Sequence, residues 1–154
     1  MVATRTFAWL GAIAICGCAG APRTWGPDAA KIHDGTVWSL TNVEVRTAVE
    51  DGRSAVHLAP IGGDHQGSNV GMALVTGARF AQGTIDVDLL GRGDHERAFL
   101  GVTFGATDAH TFEAIYFRPF RFRDADATDR AHAVQYVAWP EHTWEELRAR
   151  TPGI

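Results

Sequence analysis

Thr84-Ile85-Asp86-Val87-Asp88-Leu89 decides the fold: Ile85, Val87 and Leu89 fall on one side of an extended chain, and Thr84, Asp86 and Asp88 fall on the other. A period of two with one apolar and one polar side is the pattern of a strand that covers a core with one face and meets water with the other. The same period extends outward in both directions. Val37 to Leu40, Val43 to Thr47, Ala55 to Ala59, Gly71 to Thr76, Thr84 to Leu90, Ala98 to Gly105, Phe112 to Arg118 and Ala133 to Trp139 read as strands separated by turn residues. Glu50-Asp51-Gly52-Arg53 is a hairpin turn, because Asp-Gly tolerates the positive φ angles a tight turn between twisted strands requires. Ala98 to Phe104 and Phe112 to Phe117 carry apolar residues on both sides, as strands covered twice do. One helix is expected: Thr143 and Glu146 form a capping box, Arg148 and Arg150 suit its C-terminal dipole, and Pro152-Gly153 ends it. The expected fold class is all-β, an antiparallel two-sheet jelly-roll-type sandwich with one short C-terminal helix.

The chain has 154 residues, 45% of them apolar, and 14 Lys and Arg against 18 Asp and Glu give a formal charge of −4. This balance suits a folded domain and argues against an extended nucleic-acid surface. The alternating run Phe117-Arg118-Pro119-Phe120-Arg121-Phe122-Arg123 is therefore expected as a loop whose arginines meet Asp124 and Asp126 or an acidic sugar. No nucleic-acid partner is expected. Residues 1–17 read as a signal peptide: one positive charge at Arg5, then the apolar run Phe7 to Ile15, too short to span a membrane. Ile15-Cys16-Gly17-Cys18-Ala19 resembles a bacterial lipobox, which implies lipidation at Cys18, export, and attachment to the outer membrane or cell surface facing the periplasm or exterior. Residues 18–35, with Pro22 and Pro27 and no apolar period, are expected as a tether, and 36–154 as the sandwich domain.

Three stretches together carry a family resemblance: Phe80-Ala81-Gln82-Gly83-Thr84-Ile85-Asp86-Val87-Asp88-Leu89; Thr111-Phe112-Glu113-Ala114-Ile115-Tyr116-Phe117-Arg118-Pro119-Phe120; and His132-Ala133-Val134-Gln135-Tyr136 with Trp139-Pro140-Glu141-His142-Thr143-Trp144-Glu145-Glu146-Leu147-Arg148. They resemble a group of secreted bacterial proteins in the concanavalin A-like lectin/glucanase superfamily, akin to laminarinase and LamG domains. The resemblance covers roughly Val37 to Gly153 and implies a two-sheet sandwich whose concave face handles carbohydrate. Members of the group add strands beyond the corresponding Pro-Gly, so the resemblance also implies a chain short at its C-terminal end.

Glycoside hydrolysis uses two carboxyl groups, about 5–5.5 Å apart for retention or about 6.5–9.5 Å for inversion. Asp86 and Asp88 are candidates, since residues two apart on a strand are separated by about 6.8 Å and share a face. The Glu-x-Asp-x-Glu type of pattern that laminarinase-like enzymes carry is not met, because Thr84 stands at its first position and Leu90 or Gly91 at its last. Glu113 is the third candidate, a carboxylate inside an apolar run that needs a partner or a polar cleft. Glu113, Gln135 and Trp139 form a candidate sugar platform, with Arg118 as a further binding residue. Seven histidines show no metal-binding spacing, so no cofactor is expected beyond calcium as a candidate at Asp64-His65. Carbohydrate binding is the leading function. The alternatives are a glycoside hydrolase of the laminarinase-like or keto-disaccharide-hydrolase-like type and a non-enzymatic envelope interaction domain.

Overall fold

The computed structural model describes residues 6–15, 23–61, 70–91 and 99–152. Ten strands follow in chain order: β1 Thr6–Ile15, β2 Arg23–Trp25, β3 Trp38–Thr41, β4 Val43–Glu50, β5 Arg53–Pro60, β6 Met72–Val75, β7 Gly83–Leu90, β8 Leu100–Phe104, β9 Phe112–Phe117 and β10 Val134–Trp139. Two short helices, α1 Ala127–Ala131 and α2 Trp144–Arg150, complete the set with two single 3-10 turns. All the paired strands with a given register are antiparallel, and the all-β class expected from the sequence holds. No described helix is long and apolar enough to cross a membrane.

The chain divides into two compact units, one of Phe7–Ile61 with Gly71–Leu90, the other mainly Gly91–Ile154. In the first unit a five-stranded sheet runs β2-β1-β5-β4, with β7 also paired to β1, and β3 pairs with β6 as a separate ribbon. Asp51 and Gly52 close the β4–β5 hairpin with φ of 49° and 75°, the left-handed pair a two-residue turn requires. β5 lies between β1 and β4, and Ala55, Val56 and His57 are buried in succession, as in a strand covered on both faces. Ile32, Trp38 and Val56, each at most 3% exposed, form the core with Val45, Leu58 and Val75 packed around them. Each such side chain gains about 1.5–3 kcal/mol from leaving water. The Trp38 indole also donates to the Asp28 carbonyl at 3.3 Å, so its one polar atom is not left bare.

Two stretches ahead of the expected sandwich domain also hold regular structure in the full chain. The stretch expected as a tether contains β2 and a 3-10 turn at Ala29–Lys31, and Ile32 directly after it is 1% exposed. One large apolar residue without a periodic neighbour gives no pattern, yet it suffices to fix a turn onto a sheet. Phe7 to Ile15, expected as a leader, lies in β1, where Leu10 pairs with Val87 and Ala14 with Thr84. An apolar run without Pro satisfies a strand as well as a leader. Cys16 and Cys18 lie outside the described residues, as does the Asp64-His65 loop.

In the second unit β10-β9-β8 form a three-stranded sheet, and α2 packs against β10. Thr143 caps α2 as its sequence requires, accepting from the Glu146 amide at 3.4 Å. Asp126 caps α1 in the same way, at 2.7 Å from Thr128 N and 3.2 Å from Asp129 N.

Candidate functional site

The register of β8-β9-β10 settles which side chains share a face, because directly opposed residues in an antiparallel ladder point the same way. Ala138 lies opposite Glu113, Tyr136 opposite Ile115 and Val134 opposite Phe117, while Val102 and Phe104 of β8 oppose Ile115 and Glu113. These residues make one face. The other is made by Phe112, Ala114 and Tyr116 with Trp139, Val137 and Gln135. The expected platform of Glu113, Gln135 and Trp139 is therefore split: within each strand the parity is as read, but Gln135 and Trp139 lie on the face away from Glu113. A shift of one residue in register exchanges the two faces, and a single strand's sequence does not contain that register.

The face bearing Glu113 is open. Ile115, Val134 and Tyr136 are 40%, 45% and 41% exposed. The Tyr136 hydroxyl donates to Glu113 Oε2 at 2.6 Å, a charge-assisted bond that fixes both side chains across β9 and β10. Tyr136 ionises above the usual tyrosine range, chiefly because its proton is held by the Glu113 carboxylate, then through partial burial and the repulsion of two negative charges. Gly105, at φ 61°, follows β8; a Cβ placed there would lie 3.3 Å from Glu113 Oε1, so glycine keeps the space beside the carboxylate clear. Tyr136, Phe104 and Gly105 were absent from the candidates drawn from the sequence. The alternation Val134, Tyr136, Ala138 was the signal that could have found Tyr136.

The opposite face is closed. Phe112 and Val137 are each 4% exposed and Gln135 is 6% exposed. Gln135 Nε2 donates to the Tyr136 carbonyl at 3.0 Å, and Gln135 Oε1 has no partner among the described residues. Trp139 is half-buried on this side, and the buried Gln135 is not presented to a sugar in solution. Gly101 of β8 is held to glycine by the strand beside it, since a Cβ would come 2.7 Å from Tyr116 Cα.

Arg118, just after β9, is 8% exposed. Its guanidinium donates to the His132 carbonyl and, at 2.8 Å, to the Tyr116 hydroxyl, and lies 4.9 Å from the Tyr116 ring centre and 5.6 Å from that of Phe99. Among the described residues no carboxylate pairs with it. Burial lowers its pKa, and burial raises that of Tyr116. Arg121 differs: it reaches Asp124 at 2.8 Å, one of the two acids expected from the sequence, and Asp129 at 2.6 Å, while Asp126 caps α1 instead.

Asp86 and Asp88 lie on β7 in the first unit, both exposed, and Asp88 pairs with Arg53 at 3.1 Å. The wet face read from the alternation is observed: Ile85, Val87 and Leu89 are more covered than their neighbours. The first unit also has a cleft of about 290 Å³ lined by Asp28, Lys31, Thr36 and Thr76 among others. Among the described residues no cluster of three or more His, Cys, Asp and Glu stands ready to hold a metal.

No protein-family model matches the chain, and neither a curated protein nor a solved structure matches it.

Proposed function

We propose that this chain is an exported carbohydrate-binding protein of concanavalin A-like, lectin type, anchored through lipid at Cys18, and that the open face of β8, β9 and β10 is its binding surface. The observation that carries the reading is the Tyr136–Glu113 hydrogen bond of 2.6 Å on an exposed face flanked by Ile115 and Val134. A sugar presents apolar C–H patches and hydroxyls together. The Tyr136 ring with Ile115 and Val134 suits the first, and a fixed carboxylate with spare acceptor capacity suits the second. Glycoside hydrolysis is supported less well, since the hydrogen-bond partner of Glu113 is a phenol rather than a second carboxyl group and Asp88 is engaged by Arg53.

A glycan array probed with the full chain, with Glu113→Gln and Tyr136→Phe beside it, tests this. The expected result is a glycan bound by the wild type and lost or strongly weakened in both variants. A cooperatively melting protein that binds no glycan, or a hit indifferent to both substitutions, would overturn the proposal.

A further inference from the structure

The strand register that separates the two faces of the sheet also fixes the charge of the open one. β8, β9 and β10 each bring three opposed positions to it, and of these nine only Glu113 carries a charged side chain; Tyr136 adds a hydroxyl and the others are apolar. Glu113 Oε2 accepts from the Tyr136 hydroxyl at 2.6 Å, whereas Oε1 has no hydrogen bond among the described residues and lies beside the space that Gly105 leaves clear. Among the described residues no Lys, Arg or His forms an ion pair with Glu113. The arginines that the loop alternation offered to an acidic sugar are committed elsewhere. Arg118 is buried on the His132 carbonyl and the Tyr116 hydroxyl, and Arg121 holds Asp124 and Asp129.

We infer, resting on the reading of this face as a sugar-binding surface, that the sugar it takes is positively charged: a glycan with free amines, such as an oligomer of glucosamine, whose ammonium group meets Glu113 beside Tyr136 and Phe104. The half-buried carboxylate has one oxygen held by Tyr136 and the other unbonded, so it can accept a charge-assisted bond with little further ordering. Phe104 stands directly opposite Glu113 across β8 and β9, and Tyr136 reaches it from β10, so an aromatic side chain flanks the carboxylate on either strand. Aromatic rings attract an ammonium group as well as packing against sugar C–H patches. A hydroxyl in place of the amine keeps a hydrogen bond to Oε1 and loses the ionic and cation–π parts of the interaction. An acidic sugar meets repulsion from Glu113 with no cation at the other ladder positions to offset it.

Calorimetric titration of the full chain, at neutral pH and low ionic strength, with oligomers of glucosamine, N-acetylglucosamine, glucose and glucuronic acid of equal length tests the inference. The glucosamine oligomer should bind about tenfold tighter than the glucose and N-acetylglucosamine oligomers, and the glucuronic acid oligomer should bind most weakly. Added salt should narrow the preference for the amine, as it does for any exposed ion pair. Glu113→Gln should weaken the glucosamine oligomer more than the glucose oligomer and bring the two to within about twofold of each other. If that variant does not melt cooperatively, the comparison of the free amine with its N-acetyl form on the wild type, with and without salt, decides alone. Glucose or glucuronic acid oligomers bound as tightly as the glucosamine oligomer would overturn the inference and leave the carbohydrate-binding reading standing. Binding of none of the four would also overturn it, and the broader reading falls with it only when the glycan array is blank as well.

Discussion

Replacing Gln135 by Met should stabilise the second unit. Gln135 is 6% exposed; its amide N–H meets the Tyr136 carbonyl at 3.0 Å, while its Oε1 is buried without a partner. Leaving a buried acceptor unsatisfied costs about 1–3 kcal/mol, whereas the one hydrogen bond it makes contributes about 0.5–1.5 kcal/mol. Met has nearly the same length and volume and no strongly polar atom, so the exchange removes the larger cost and forfeits the smaller gain. A net gain of about 1 kcal/mol follows, or roughly 2–4 °C in Tm for a chain of this size. Urea denaturation with an unchanged m-value, paired with a thermal melt, measures it. A loss of about 1 kcal/mol or more would refute the reasoning, because it would mean that Oε1 has a strong partner and Gln135 is a fixed polar contact. The same variant separates the two faces of the sheet: glycan binding on the Glu113 side should survive it.

Two further outcomes follow from local geometry. Gly105→Ala should cost about 1–2 kcal/mol for a Cβ at φ 61° and should also weaken glycan binding, since the new atom presses on Glu113 Oε1; a denaturation curve and the array measure both. His132 makes stability fall in acid: with a folded pKa below the unfolded value of 6.5, its contribution is present above about pH 6.5 and is lost as the pH drops toward the folded value, which a series of melts between pH 7 and pH 5 reads directly.

The strand pattern was largely legible, and the site was not. All eight strands read from the sequence are found, because alternation is a local signal that burial enforces residue by residue, as Ile85, Val87 and Leu89 show against Asp86 and Asp88. The Asp51-Gly52 hairpin and the Thr143 cap of α2 were legible for the same reason, each being settled by backbone chemistry within four residues. α1 was missed, since five residues hold too little of a helical period to register. Glu113 was singled out from the sequence as a carboxylate in need of a partner. Its partner, Tyr136, stands 23 positions away and becomes a neighbour only through the register of β9 with β10. The imbalance at Arg118 was equally hidden, because nothing in its local sequence tells that Asp124 and Asp129 go to Arg121 instead.

The most direct test of the carbohydrate-binding account is to map the bound glycan on the folded chain by backbone amide chemical-shift changes. The account predicts that, at saturation, the changes concentrate at Val102, Phe104, Glu113, Ile115, Val134 and Tyr136, and that Tyr136→Phe abolishes them. Changes confined to the first unit, around β7 and the cleft beside Lys31, would contradict it.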